Sequence, residues 1–473
     1  MGNNHTLIMH QFIKEDSSFR DPSGFVFYRD SKVYRAINES YRDNYNFFID
    51  SGLKDNLLKS NLLIPFDEEA IIEGLPEVVF KVVRPNKIKT IVYPYEWCFS
   101  QLKDAALATL NIQKTALEYG MVLKDASAFN IQFWQCKPGL IDITSFEKYI
   151  DGAPWAAYKQ FCQHFLCPLL LMKYKSVDIN QFQKLYIDGI PVEMASKILP
   201  LKTHFNLSVL SHIHWHAKSQ KHYQKRNKEV KHFKIPKKNQ LLLIDNLISF
   251  VNNITLKNIA TEWGNYYEET NYSENAIAHK KDIINNFVNG INLNKVVDFG
   301  ANDGTFSRLF SKRQAETIAL DIDPFAVEKN YLKLKLDNDI FLIPLAGDIT
   351  NPSPAIGWEN KERKSLLSRL NCDLALALAL VHHLTITHNL SFSQIAEFFA
   401  GLCRYLIIEF IPIDDSQIKK MILNRTDTFE NYSVENFEQS FKQHFNLIRK
   451  ENIHDSKRSL YFFEKIDNEN FSQ

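Results

Sequence analysis

The run Val296–Ser307, VVDFGANDGTFS, constrains this chain more than any other segment. An apolar strand ends at Asp298 and Phe299, glycines follow at 300 and 304, and a helical apolar stripe begins with Phe306, Leu309 and Phe310. Glycine is scarce, 15 residues against 35 phenylalanines, so two glycines in one turn mark backbone that must bend sharply or admit a close neighbour. A strand, a glycine turn and a helix in succession present backbone N–H groups and a positive dipole end at the carboxyl edge of a sheet. That is a ligand cradle of the doubly wound α/β class.

The surrounding pattern agrees. Short apolar runs at Val296–Phe299, Thr317–Asp321, Phe341–Leu345, Asp373–Ala379 and Tyr405–Phe410 alternate with helical stretches, as in βαβ units with a parallel sheet. Phe445–Arg449 and Ser459–Phe463 then predict a terminal hairpin. The dinucleotide pattern GxGxxG fails, because Asn302 and Thr305 stand at its second and third glycines. The form D-x-G-x-N-x-G instead resembles motif I of class I S-adenosylmethionine methyltransferases. The resemblance covers about 280–465 and implies a Rossmann-like seven-stranded sheet and S-adenosyl-L-methionine as cofactor. It implies that Asp298, Gly300, Asn302 and Gly304 line the cofactor site. Asp321, in LDIDPF, would hold the ribose hydroxyls, and Asp348 and Ile349, in GDIT, would flank adenine.

Methyl transfer needs in-line alignment and, for a hydroxyl or amine acceptor, a base. His382 and His383 follow the fourth strand of the sheet, where the resemblance places substrate, and are the candidate bases; packing at a strand end is the alternative. Glu409 and Arg425 are further polar candidates. The aromatic run around Tyr266 and Tyr272 reads either as a lid on the sulfonium or as a core cluster.

The N-terminal half has another logic. Ser23–Ile37 predicts a hairpin, Val78–Val83 and Ile91–Tyr95 predict strands, 100–119 an amphipathic helix, and 155–200 an apolar helical region. In MVLKDASAFNIQFWQCKPGLIDITSFE, Asp125 and Asn130 stand five apart and Asp142 follows the apolar run GLI. This resembles the catalytic loop and metal-binding aspartate of a degenerate protein-kinase-like fold, which would make the three residues a nucleotide and metal site, with Mg-ATP as ligand if the domain is an active kinase. The preceding His-Arg pair, the glycine-rich loop and the DFG glycine are absent, and Arg35 is the candidate for the missing lysine. Capped turns are the plainer reading. His212, His214 and His216 alternate and would share one face of a strand, as a metal trio or an ordinary polar face.

Composition bounds the rest. Lys and Arg exceed Asp and Glu by 56 − 55, a charge of +1, so no overall field points to nucleic acid or membrane. The six cysteines form no CxxC and suit reduced thiols in a cytoplasmic protein. No apolar run approaches the roughly 20 residues of a membrane span, and the first residues lack the features of a secretion signal. Residues 218–238 carry nine Lys or Arg against one Glu. The expected organisation is an α+β domain over 1–217, a basic linker over 218–239, and a helical lid with the methyltransferase domain over 240–473. Segments such as WAAYKQFCQHFL and IDGIPVEMASKILP make the chain similar to NoeA-related nodulation proteins. That likeness implies a methyl acceptor that is a glycan or a small metabolite. The rival expectation is a non-catalytic cofactor-binding or interaction protein.

Overall fold

The structure is a computed structural model that describes residues 12–219, 234–256, 274–423 and 431–466. The described residues divide into two units. The first comprises those of Met1–Tyr95, Phe99–Lys257 and Ala355–Lys364; the second those of Glu96–Cys98, Asn258–Pro354 and Ser365–Gln473. This differs from the sequence expectation in two places. Helix Lys237–Asn252 begins inside the expected basic linker and belongs to the first unit, and so does the ten-residue excursion 355–364. Residues 220–233 of the linker lie outside the described residues, as do Tyr266 and Tyr272 of the expected lid and Arg425.

In the first unit, β1 (Ile13–Lys14), β2 (Gly24–Arg29), β3 (Lys32–Asn38), β4 (Phe66–Glu69) and β5 (Val79–Pro85) form an antiparallel sheet ordered β1-β2-β3-β5-β4. The hairpin turns at Asp30 and Ser31, both at positive φ (50° and 60°), as a two-residue turn between twisted strands requires. Phe25, Phe27, Ala36, Val79 and Val82 fill the core beneath it. Ile91–Tyr95, expected as a strand, is not one. The side chain of Gln132 takes the place of a neighbouring strand there, accepting from Val92 N–H (3.1 Å) and donating to Val92 C=O (2.8 Å). Short strands β6 (Met121–Leu123), β7 (Ile131–Trp134), β8 (Lys137–Leu140) and β9 (Phe146–Lys148) follow the buried helix Phe99–Glu118.

The excursion 355–364 is held inside the first unit by charge. Arg20 forks onto Glu362 (2.9 and 2.7 Å), and the Arg363 guanidinium lies 4.3 Å over the Phe129 ring. Gly357 is required at its bend: φ is 89°, and a Cβ would sit 2.5 Å from the Glu362 side chain.

The second unit carries a seven-stranded sheet: β10 (Lys295–Phe299), β11 (Glu316–Asp321), β12 (Leu342–Ala346), β13 (Cys372–Ala377), β14 (Cys403–Phe410), β15 (Phe445–Asn452) and β16 (Ser459–Lys465). Their order is β12-β11-β10-β13-β14-β16-β15, with β10 to β14 parallel and β16 antiparallel to β14. The expected α/β sheet and terminal hairpin are both present. Helix Glu274–Phe287 buries Ile283, Ile284 and Phe287 against Val296, Leu374, Leu376 and Phe462. Each such side chain contributes about 1.5–3 kcal/mol of burial.

Candidate cofactor site

The chain builds outward from β10 through β11 to β12, then crosses back to β13 on the other side of β10. Neighbouring connections therefore diverge at the carboxyl ends of β10 and β13, leaving a crevice. A cavity of about 450 Å³ occupies it.

The turn after β10 forms its floor. Gly300 and Ala301 both donate to the Leu320 carbonyl (2.9 and 3.0 Å), which folds the chain back over β11. Gly300 and Gly304 have φ of 74°, and Asn302 is also left-handed at 49°. Asn302 N–H donates to Asp321 Oδ2 (2.7 Å) and Asp323 N–H to Asp321 Oδ1 (2.8 Å). Asp321 thus fixes the turn while keeping lone pairs for a ligand. Asp298, at the end of the strand, accepts from Ser307 Oγ (2.6 Å).

The cavity brings together Asp298, Gly300, Asn302, Asp321, Asp348, Ile349 and His383 from the sequence expectation. Two expected residues are placed elsewhere. Gly304 does not line it: a Cβ there would lie 2.5 Å from the Asn330 side chain and 2.7 Å from Arg308, so this glycine serves packing of the turn. His382 is 3% exposed, does not line it, and leaves Nδ1 buried without a hydrogen-bond partner. Lys280, Phe306, Ala379 and Leu380, which sequence reasoning had not placed in the site, do line it.

The charges are uneven. Among the described residues the lining carries three carboxylates, Asp298, Asp321 and Asp348, against one lysine, Lys280. Burial raises Asp298 to about 7 and Asp321 to about 6, the latter opposed by its backbone N–H donors. Burial, with the His388 charge, lowers His383 to about 4. Lys280 pairs with Glu409 at 2.6 Å, both almost wholly buried.

In the first unit the expected nucleotide and metal residues are engaged internally. Asp125 Oδ1 accepts from Ser127 N–H (3.0 Å) and Gln160 Nε2 (2.7 Å). Asp142 Oδ1 accepts from Thr144 N–H (3.0 Å) and Thr144 Oγ1 (2.8 Å), and Oδ2 from Ser145 Oγ (2.9 Å). Asn130 Nδ2 reaches the same Ser145 Oγ at 3.3 Å. Arg35, on β3, contacts Asp142 and Asp21, each at 2.9 Å. The histidine trio is not on a strand. It lies in the helical stretch around Leu210–Trp215, where residues two apart point to different sides. His212 there bonds Tyr158 and His214 bonds Ser196 and Thr203. Among the described residues no group of three or more His, Cys, Asp or Glu could hold a metal, and no helix is long and apolar enough to cross a membrane.

No family model matches the chain. It is 31% identical over 458 residues to the nodulation protein NoeA of Rhizobium meliloti (strain 1021), covering 95% of this chain and 96% of that protein. Among solved structures it is similar to WbdD at 17% identity (TM-score 0.28), over 40% of this chain and 38% of that one. It is also similar to the magnesium protoporphyrin IX methyltransferase ChlM of Synechocystis PCC 6803, with bound SAH, at 16% identity (TM-score 0.30), over 40% of this chain and 84% of that one.

Proposed function

The chain belongs to the NoeA family of nodulation proteins, and we propose that its second unit is an S-adenosylmethionine-dependent methyltransferase acting on a glycan or small-metabolite acceptor. The observation that carries this reading is an acid-lined cavity at the switch point of the sheet. A dinucleotide would bring a pyrophosphate to the turn after β10, yet the Asn302 N–H there is already given to Asp321. The acidic side chains, even with Asp298 only partly charged near pH 7, would also repel phosphate. They suit a cofactor without phosphate that carries a sulfonium and an ammonium. Asp321, Ile349 and Asp298 all line the cavity, and on this reading Asp321 takes the ribose diol, Ile349 flanks adenine and Asp298 faces the positive end.

The cofactor would supply the methyl group; the protein has to hold it in line with the acceptor and exclude water. His383 is the candidate to accept the acceptor's proton, since burial keeps it neutral near pH 7. The closed Arg35–Asp142 network supports a structural or substrate-presenting first unit rather than a kinase. Incubation with methyl-labelled cofactor and fractionated cell extract tests the reading. Label in one fraction supports it. Saturable cofactor binding with no labelled fraction favours a sensor, and absence of binding removes the reading.

A further inference from the structure

We infer that Lys280, held by Glu409, recognises the α-carboxylate of the methionyl portion of the cofactor, so that the cavity sorts its ligand by charge from end to end. The inference rests on the methyltransferase reading and deepens it.

Lys280 sits in the apolar stripe of helix Glu274–Phe287, yet it lines the cavity. Its ammonium is bound to Glu409 Oε2 at 2.6 Å and lies 4.8 Å from the Phe306 ring centroid. Glu409, at 0% exposure, lies beneath it and outside the cavity lining. A buried ion pair gains little net stability over apolar residues of the same size, because desolvation offsets the attraction. A lysine placed there is therefore better explained by its charge than by packing.

Glu409 does a second job. Its Oε2 also accepts Ala379 N–H at 2.8 Å, and Ala379 is left-handed at φ 50°, a conformation that disfavours a side chain. One carboxylate therefore ties the ammonium to the turn that ends β13. The two sides of the cavity then differ in kind. Asp321 and Asp348 stand at the ends of β11 and β12, on one side of β10. Lys280 and the 378–380 turn stand toward β13 and β14, on the other. Arg458 nearby is 3% exposed and forked onto Asp415 (2.9 and 3.2 Å), which largely offsets its charge and leaves Lys280 as the cation that lines the cavity among the described residues. S-adenosylmethionine has matching polarity, with a diol and adenine at one end and the carboxylate at the other. Lys280 and Glu409 are positioning residues for this ligand; neither is assigned a proton transfer.

The test uses the full chain and two ligands, S-adenosylmethionine and its decarboxylated form, in equilibrium binding. Wild type should prefer the carboxylated ligand by roughly tenfold to a hundredfold, the range for a charge-assisted hydrogen bond. Lys280→Met should bring the ratio close to one by weakening only the carboxylated ligand. Because Lys280→Met leaves a buried carboxylate unpaired, the double variant Lys280→Met/Glu409→Gln is measured beside it and should give the same ratio. Equal affinities in wild type, or a preference that survives in the folded double variant, would overturn the inference while leaving the methyltransferase reading intact. Binding of neither ligand by wild type would remove both.

Discussion

The Arg35 guanidinium lies 2.9 Å from Asp142 Oδ1, and the same guanidinium lies 2.9 Å from Asp21 Oδ2. Both oxygens of Asp142 thus already have donors, with Thr144 on one and Ser145 on the other. A magnesium ion would have to displace this network before it could bind a nucleotide phosphate. The expected outcome of a thermal-shift titration of the full chain with ATP is no magnesium-dependent stabilisation, in wild type or in Asp142→Ala. A shift in wild type that disappears in Asp142→Ala would make the first unit a magnesium-dependent nucleotide-binding module and overturn the structural reading. Arg35→Ala should lower stability by about 2–3 kcal/mol, because two partly buried carboxylates lose their cation.

The Asp298 carboxyl makes stability depend on pH. Burial raises it to about 7 in the folded protein, from an ordinary value near 4 in the unfolded chain. Between those values the folded state binds more protons than the unfolded state, so this group's contribution falls as pH rises from about 4 to about 7. Asp298→Asn removes that loss while keeping an acceptor for Ser307. Urea unfolding across this range should show the variant gaining on wild type up to about pH 7, then running parallel. A constant difference at every pH would place Asp298 in a solvated setting instead.

The Asp321 carboxylate serves the turn and, on our reading, the ribose. Asp321→Ala should weaken S-adenosylmethionine binding by about 1–3 kcal/mol. Gly300→Val should abolish it. A Cβ at Gly300 meets only Leu380 Cδ1, at 3.6 Å, so nearby protein atoms leave room for a small side chain. The φ of 74° and the larger valine entering the cavity are what the variant cannot accommodate. Calorimetry on both variants checks this. Unchanged affinity in folded Gly300→Val would remove the turn from the cofactor site.

Much of the second unit was legible because its signals are local. Alternating runs mark its strands, and the glycines and Asp298 mark the turn. Gly304 shows where locality ends. Its place in the motif suggests a ligand, but Asn330, 26 residues on, supplies the reason for it. Lys280 was legible in principle: Ala276, Ile283, Ile284 and Phe287 define an apolar stripe, and a lysine within it is a buried charge. Glu409 within LIIEF carries the same signal. Their pairing spans 129 residues, and no spacing encodes that. The missing strand at Ile91–Tyr95 has a similar cause, because Gln132, 40 residues distant, satisfies the Val92 backbone.

The two adjacent histidines separate by burial, and so should their variants. His383 lines the cavity and is lowered to about 4, so it is neutral but only weakly basic at pH 6–8. His382 is buried away from the cavity, its ring 4.1 Å from that of His383, and can only support its neighbour. If the acceptor loses its proton to His383, His383→Gln should slow turnover roughly 10²-fold with cofactor affinity nearly unchanged. His382→Gln should chiefly lower stability. The wild-type rate should stay flat from pH 6 to 8 and fall only as pH approaches 4, where the imidazole takes up its proton and no longer serves as a base. Full-rate turnover by His383→Gln would show that alignment alone drives the transfer and that both histidines are structural.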